Sequence, residues 1–270
     1  MITIGEISKV AKKHKIGAAQ IEKDNVITWV LYGISQSKLL KKNLAFKGGT
    51  VLKKAYFEDY RFSEDLDFTL LNNDVSNEDI LAAFDEALAL AQDETGMTLQ
   101  INQDKEKVHL ATNSLKFFID YVAPLQGAMG SRDLKVDITR GEVLEFDLCE
   151  YPMFNEYSDA EEDIRINCYS LSEVLIEKMA AIMGRTIPRD VYDLWYLFEY
   201  EGLDLADHHI EFESKARNKG QAPDEFRKKF DSSLEKYRSA WKKSLENQMP
   251  EVPDFDDVMR ELNKHLRKFY

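Results

Sequence analysis

The 270-residue sequence is 44% hydrophobic with a formal net charge of −13, enough apolar material for a sizeable core in one large or two modest domains. No run approaches the roughly 18 apolar residues of a membrane-spanning helix, and the N-terminus shows no charged leader followed by an apolar core, so neither a membrane protein nor an exported one is expected. The two cysteines, Cys149 and Cys168, are too few and too far apart for a zinc pattern or a disulfide scaffold, which leaves a reducing cytoplasm as the expected setting.

Residues 4–15 and about 20–41 read as helices, with Ile27, Val30, Leu31 and Ile34 at three- and four-residue spacing. This first segment is basic. Residues 1–56 hold 11 basic and 3 acidic side chains, a net of +8, and the remainder holds 25 and 46, a net of −21. A basic segment on an acidic body predicts a polyanion that meets one face only; the plainer alternative is lysines that solvate helix surfaces. Leu44-Ala45-Phe46 enters a Gly48-Gly49 turn, Thr50 to Tyr56 reads as a helix, Leu66 to Leu71 as a strand, and Asn77 to Gln92 as a helix. Strand-like runs follow at Thr98–Ile101, Ser114–Tyr121, Leu134–Ile138 and Arg165–Tyr169, with an acidic, irregular stretch from about 141 to 163 that contains Pro152. From Ser170 the pattern is helical. Ser170 and Glu173 fit a capping box, Pro188 suits a first helical turn, and later helices cover roughly 224–247 and 254–268. A mixed α/β part, residues 1–169, therefore precedes an all-helical part, residues 170–270, predicted to close a cleft.

Residues 47–67 carry the sharpest chemistry. Gly48 and Gly49 allow backbone N–H groups to approach a phosphate, aided with Thr50 by the positive end of the following helix. Asp65 and Asp67, two apart, fall on one side of a strand and offer hard oxygen ligands to a divalent metal; the plain alternative is a pair of solvent-facing acids. A third acid completes a two-metal site of the kind that clamps both oxygens of an in-line displacement. Asp137, flanked by β-branched residues, is the best candidate, with Asp120 and Asp147 competing. Farther on, Lys178 and Arg185 lie two helical turns apart on one face, and Lys178 sits among Leu175, Ile176, Met179 and Ile182. A basic residue so placed snorkels or meets an anion. Asp190 and Asp193, three apart, either anchor these cations or serve as a general base. His208-His209 lies in a polar stretch and reads as surface.

Phe46-Lys47-Gly48-Gly49-Thr50-x-Leu52 followed by Arg61-Phe62-Ser63-Glu64-Asp65-Leu66-Asp67-Phe68 resembles the first motif of the AbiEii nucleotidyltransferases, toxins of type IV toxin–antitoxin systems with MenT relatives. The strand around Asp137 resembles the second motif, Lys178 with Arg185 the third, and Arg189-Asp190-x-x-Asp193 the fourth. The resemblance implies a polymerase-β-like nucleotidyltransferase core of the α/β (α+β) class, joined to a C-terminal helical domain. It implies Mg²⁺, one or two ions, and transfer of NMP from an NTP, with a tRNA 3′ end as the suggested acceptor and an AbiEi-like winged-helix repressor as antitoxin. Within it Asp65, Asp67 and Asp137 are the metal ligands. Lys47, Gly48, Gly49, Thr50, Arg61, Ser63, Lys178 and Arg185 bind the nucleotide, Lys178 steadies charge on the phosphates, and Asp190 or Asp193 positions the acceptor or organises the basic residues. Two other readings are a nucleotidyltransferase acting on a small molecule such as an antibiotic, and a nucleotide-binding interaction module without chemistry.

Overall fold

Alternation of apolar and polar residues builds a mixed eight-stranded sheet between Leu44 and Cys168. The computed structural model describes residues 1–109, 113–160 and 163–267. The strands are β1 (Leu44–Lys47), β2 (Asp65–Leu70), β3 (Thr98–Ile101), β4 (Lys107–His109), β5 (Ser114–Val122), β6 (Asp133–Thr139), β7 (Cys149–Pro152) and β8 (Arg165–Cys168). Their order is β3-β5-β6-β2-β1-β8-β7, with β4 also paired to β5. β2 runs parallel to β6, and β1 parallel to β8. The chain divides into two units: Met1–Glu142 with Leu148–Cys168, which holds the sheet, and Val143–Asp147 with Tyr169–Tyr270.

In the first unit, α1 (Ile4–His14), α2 (Ala18–Gln36), α3 (Lys38–Asn43), α4 (Gly48–Val51) and α5 (Asn77–Thr95) accompany the strands, and α4 continues as a π-helical turn over Leu52–Tyr56. Leu66, Phe68, Leu115, Phe117, Val136 and Ile138 form the buried face of the sheet. Phe84 of α5 meets Phe117 edge-on, with ring centroids 5.0 Å apart. α2 and α5 approach closely at Gly33, where a Cβ would lie 2.3 Å from the Ala87 carbonyl oxygen. The opposite positions of β2 and β6, Asp65, Asp67, Lys135 and Asp137, are half-buried. A second cluster of Ile2, Ile7, Val10, Ile16 and Ile21 with Phe62 and Tyr157 seats α1 on the segment that leads into β2.

In this unit the structure departs from expectation in four places. The helix expected over 20–41 is two, because Ser37 is extended and its Oγ accepts the Leu40 N–H to start α3. Three lysines of the basic segment, Lys47, Lys53 and Lys54, are buried; Lys54 Nζ is 2.6 Å from Asp24 Oδ2 and donates to Thr28 Oγ1 at 2.9 Å. The count of surface lysines thus overstates the basic face. The irregular stretch contains β7, an edge strand whose last residue is Pro152, where a missing donor is tolerated. β4 is three exposed residues with little alternation to reveal it.

The second unit contains α6 (Leu171–Gly184), α7 (Pro188–Glu199), α8 (His209–Asn218), α9 (Phe226–Ser232), α10 (Leu234–Leu245) and α11 (Phe255–Leu266). Pro188 occupies the first turn of α7 as expected. Ser170 Oγ accepts the Glu173 N–H at 3.2 Å, but the Glu173 carboxylate is directed elsewhere. It receives Lys215 Nζ at 2.7 Å and the backbone N–H groups of Glu145 and Phe146 at 2.9 Å each. This fully buried carboxylate ties residues 143–147 into the helical unit. The long helix expected over 224–247 is broken at Ser233, between α9 and α10. His208 is buried, with Nδ1 2.7 Å from the Asp204 carbonyl oxygen and Nε2 2.8 Å from Ser172 Oγ, so it is not the surface residue the polar stretch suggested. No helix among the described residues is long and apolar enough to cross a membrane.

Candidate active site

The parallel register of β2 and β6 places Asp67 beside Asp137 and Asp65 beside Lys135. Period-two alternation then sets all four side chains on one face. Lys135 Nζ stands 3.7 Å from Asp65 Oδ2 and 3.8 Å from Asp137 Oδ2, and Lys116 Nζ of β5 is 3.6 Å from Asp137 Oδ2. Desolvation pushes the Asp67 carboxyl above its ordinary range, and the Asp65 and Asp137 carboxylates add to the push, while Lys135 and Lys47 pull against it. Three acids are therefore crowded where ionisation of the innermost is already unfavourable.

The glycine turn packs directly on this group. Gly48 has φ +79°, and a Cβ there would sit 2.5 Å from Asp67 Oδ2. Thr50 Oγ1 donates to the Asp65 carbonyl oxygen, and the buried Lys47 ammonium lies 3.5 Å from Glu142. Turn and acidic strand are thus fixed to each other by contact. A Gly48→Ala substitution is expected to destabilise the first unit by about 1–2 kcal/mol from the left-handed backbone alone and to displace the Asp67 carboxylate. Thermal unfolding measures the first effect and loss of transferase activity the second.

The remaining residues predicted near β2 are buried. Ser63 presents its carbonyl oxygen to Gln20 Nε2 at 3.1 Å. The Arg61 guanidinium lies 5.6 Å from the centroid of the Tyr60 ring and reaches the Phe62 carbonyl oxygen at 3.4 Å. Of the two competitors for the third acid, Asp120 pairs in register with Asp133, four positions from Asp137, and accepts a hydrogen bond from Asn102 at 2.8 Å. Asp147 belongs to the other unit. Lys135, Lys116 and Glu142 were not singled out from the sequence. Only Lys135, alternating with Asp137 along one strand, left a local signal.

In the second unit α6 and α7 bring together the other predicted group. Lys178 Nζ lies 2.9 Å from Asp190 Oδ1 and 2.6 Å from Asp193 Oδ2. Arg185, in the connection after α6, donates from Nε to Asp190 Oδ2 at 2.8 Å and from Nη2 to Oδ1 at 3.0 Å. Burial alone raises the Asp190 carboxyl, but Lys178 and Arg185 outweigh it and hold the group well below the usual carboxylate range. A carboxylate with both oxygens engaged and so little proton affinity is a poor general base. The geometry favours the alternative, in which these acids anchor the cations.

The profile of the family described as "Nucleotidyl transferase AbiEii toxin, Type IV TA system" matches residues 29–261. No curated protein sequence matches the chain. Among solved structures, JHP933 from Helicobacter pylori is 18% identical with a TM-score of 0.61, covering 94% of this chain and 92% of that one. MenT4, a nucleotidyltransferase toxin from Mycobacterium tuberculosis H37Rv, is 14% identical with a TM-score of 0.53, covering 98% of this chain and 99% of that one. At these identities the likeness speaks for the fold, an α/β sheet with helices in the nucleotidyltransferase manner. With the family profile spanning most of its length, the chain belongs to the AbiEii nucleotidyltransferase toxin family.

Proposed function

We propose that this nucleotidyltransferase moves a nucleoside monophosphate from an NTP to the 3′ end of a tRNA, as the toxin of a type IV system whose antitoxin is an AbiEi-like repressor. The observation that carries the chemistry is the β2–β6 register, which gathers Asp65, Asp67 and Asp137 on one face against the Gly48 turn. The donor set fits a hard divalent cation such as Mg²⁺. It offers carboxylate oxygens only, and the crowding that raises Asp67 is the kind a dication relieves. Among the described residues no three acidic, histidine or cysteine side chains are already drawn into a closed metal cage; at this face an ammonium, that of Lys135, stands between Asp65 and Asp137. Asp65, Asp67 and Asp137 are the residues that would hold the ion, and the ion would supply Lewis-acid stabilisation of phosphate charge.

The chain's own residues do the rest. The Gly48-Gly49-Thr50 turn offers backbone N–H groups to the triphosphate, with Lys47, Arg61 and Ser63 at its flanks. Lys178 and Arg185, oriented by Asp190 and Asp193, supply fixed positive charge for the phosphates as pyrophosphate leaves. Incubation with Mg²⁺, each labelled NTP in turn and total tRNA is expected to label RNA 3′ ends. Absence of label on any RNA with every NTP overturns the acceptor assignment. A small-molecule acceptor is the second reading, favoured by the net charge of −13 and by the burial of three lysines from the basic segment; label on an added aminoglycoside but not on RNA selects it.

A further inference from the structure

The proposed function leaves Lys135 without a role, although it occupies the centre of the acidic face. Lys135 is the register partner of Asp65, and its ammonium stands nearly equidistant from Asp65 and Asp137, at 3.7 and 3.8 Å. Both separations exceed hydrogen-bond length, so the ammonium sits between the two carboxylates rather than locked onto one. Its side chain is 28% exposed, and the carboxylates it faces are 33% and 29% exposed, so the group can leave toward solvent without unpacking the sheet. Lysine is suited to such movement, being a point charge on a flexible four-carbon stem.

We infer that Lys135 is an internal counter-ion that exchanges with the divalent metal and then binds the triphosphate of the incoming nucleotide. The inference rests on the carboxylate face being the metal site. A divalent cation drawn to Asp65 and Asp137 meets an ammonium already between them, and like charges at that separation repel. The metal alone therefore binds against the ammonium. A nucleotide triphosphate gives the displaced ammonium an anionic partner, so metal and nucleotide each favour the other. Coupling of this kind is reciprocal: whatever factor nucleotide adds to metal affinity, metal adds to nucleotide affinity. It also keeps the three carboxylates tolerably neutralised in the protein before substrate arrives. The absence of a closed cage among the described acids follows from the same geometry, because two of them are spread around Lys135.

Isothermal titration of Mn²⁺, and of each non-hydrolysable α,β-methylene NTP analogue, alone and together, tests this in the wild-type protein and in Lys135→Met and Lys135→Arg. In Lys135→Met, Mn²⁺ alone is expected to bind about tenfold more tightly, the analogue more weakly, and the metal–nucleotide coupling to fall from the common 5- to 150-fold range toward one. In Lys135→Arg the forked guanidinium grips carboxylates more firmly, and Mn²⁺ alone is expected to bind more weakly than in wild type. The arginine variant preserves the charge among the acids and so guards against a methionine variant that fails to fold. Equal Mn²⁺ affinity and equal coupling in wild type and in whichever variant folds overturns the role of Lys135. Failure of the underlying site looks different: no Mn²⁺ binding by any of the proteins, with or without nucleotide, or binding that persists in Asp67→Asn.

Discussion

Asparagine at Asp67 is expected to lower nucleotidyl transfer by about 10³-fold or more, the loss that follows when several kcal/mol of metal-derived charge stabilisation disappear, while the fold survives. The substitution keeps the size and planar shape of the side chain, removes its charge, and replaces one acceptor oxygen with an amide NH2. Single-turnover transfer from a labelled NTP measures the first effect. An Asp67→Asn protein that keeps wild-type transfer removes Asp67 from the machinery.

The same variant carries a second, independent signature in its stability. Desolvation and the neighbouring carboxylates raise Asp67 in the folded protein. A group whose folded pKa is raised contributes stability in full below its unfolded value, about 4 for aspartate, and loses it as pH rises through the folded value. Without divalent ions, wild type is therefore expected to lose stability relative to Asp67→Asn, which has no such proton to lose, as pH rises from the ordinary aspartate value of about 4 toward pH 7. Thermal unfolding in EDTA at the two pH values reads the difference. Added Mn²⁺ is expected to restore wild type at pH 7 and to leave the asparagine variant little changed. If the two proteins share one pH profile, Asp67 is not the strained member of the cluster.

Local pattern revealed the parts of this site that obey a period, and missed the parts that depend on pairing. Asp65 and Asp67 on one side of β2 follow from alternation alone, and the Gly48 turn before them and the Pro188 start of α7 follow from the backbone chemistry of glycine and proline. The alignment of Asp67 with Asp137 does not, because no local signal states that β2 and β6 run parallel and in that register. Lys116 reaches Asp137 only through the β5–β6 pairing, and Glu142 meets Lys47 from a connection without periodicity. The basic first segment misled for a related reason. Composition counts lysines, whereas three of them are folded inward against carbonyl or carboxylate oxygens. His208 misled likewise: its polar neighbours in sequence are not its neighbours in space, where Ser172 and the Asp204 carbonyl satisfy it. Of the second group, the i, i+3 spacing showed that Asp190 and Asp193 share a helix face, and the packing of α6 on α7 decided that the face points at Lys178.

Removal of the Lys178 ammonium is expected to destabilise the helical unit strongly. Lys178, Asp190 and Asp193 have side chains only 8%, 2% and 0% exposed. Asp190 retains Arg185 when Lys178 is lost, at 2.8 Å from Arg185 Nε. Asp193 is fully buried, so water cannot take the place of the Lys178 ammonium that stands 2.6 Å from it. Breaking a buried pair by deleting one member costs about 3–5 kcal/mol, because the uncompensated charge stays inside. Lys178→Met is therefore expected to unfold the second unit at markedly lower urea, followed by the fluorescence of Trp195 and Trp241, which both lie in that unit. Lys178→Met/Asp193→Asn removes the buried negative charge that faced the ammonium and is expected to recover part of the loss without recovering transfer, since the ammonium offered to the phosphates is still missing. The acid side of the profile distinguishes the pairs further. Asp190 is depressed, so its contribution is present in full above the ordinary carboxylate range, near pH 4, and is lost only as pH falls below it. The wild-type helical unit should accordingly hold its stability down to about that pH, while Lys178→Met is already weakened at neutrality. Recovery of both stability and transfer in the double variant would show the lysine to be structural and leave the phosphates to other cations.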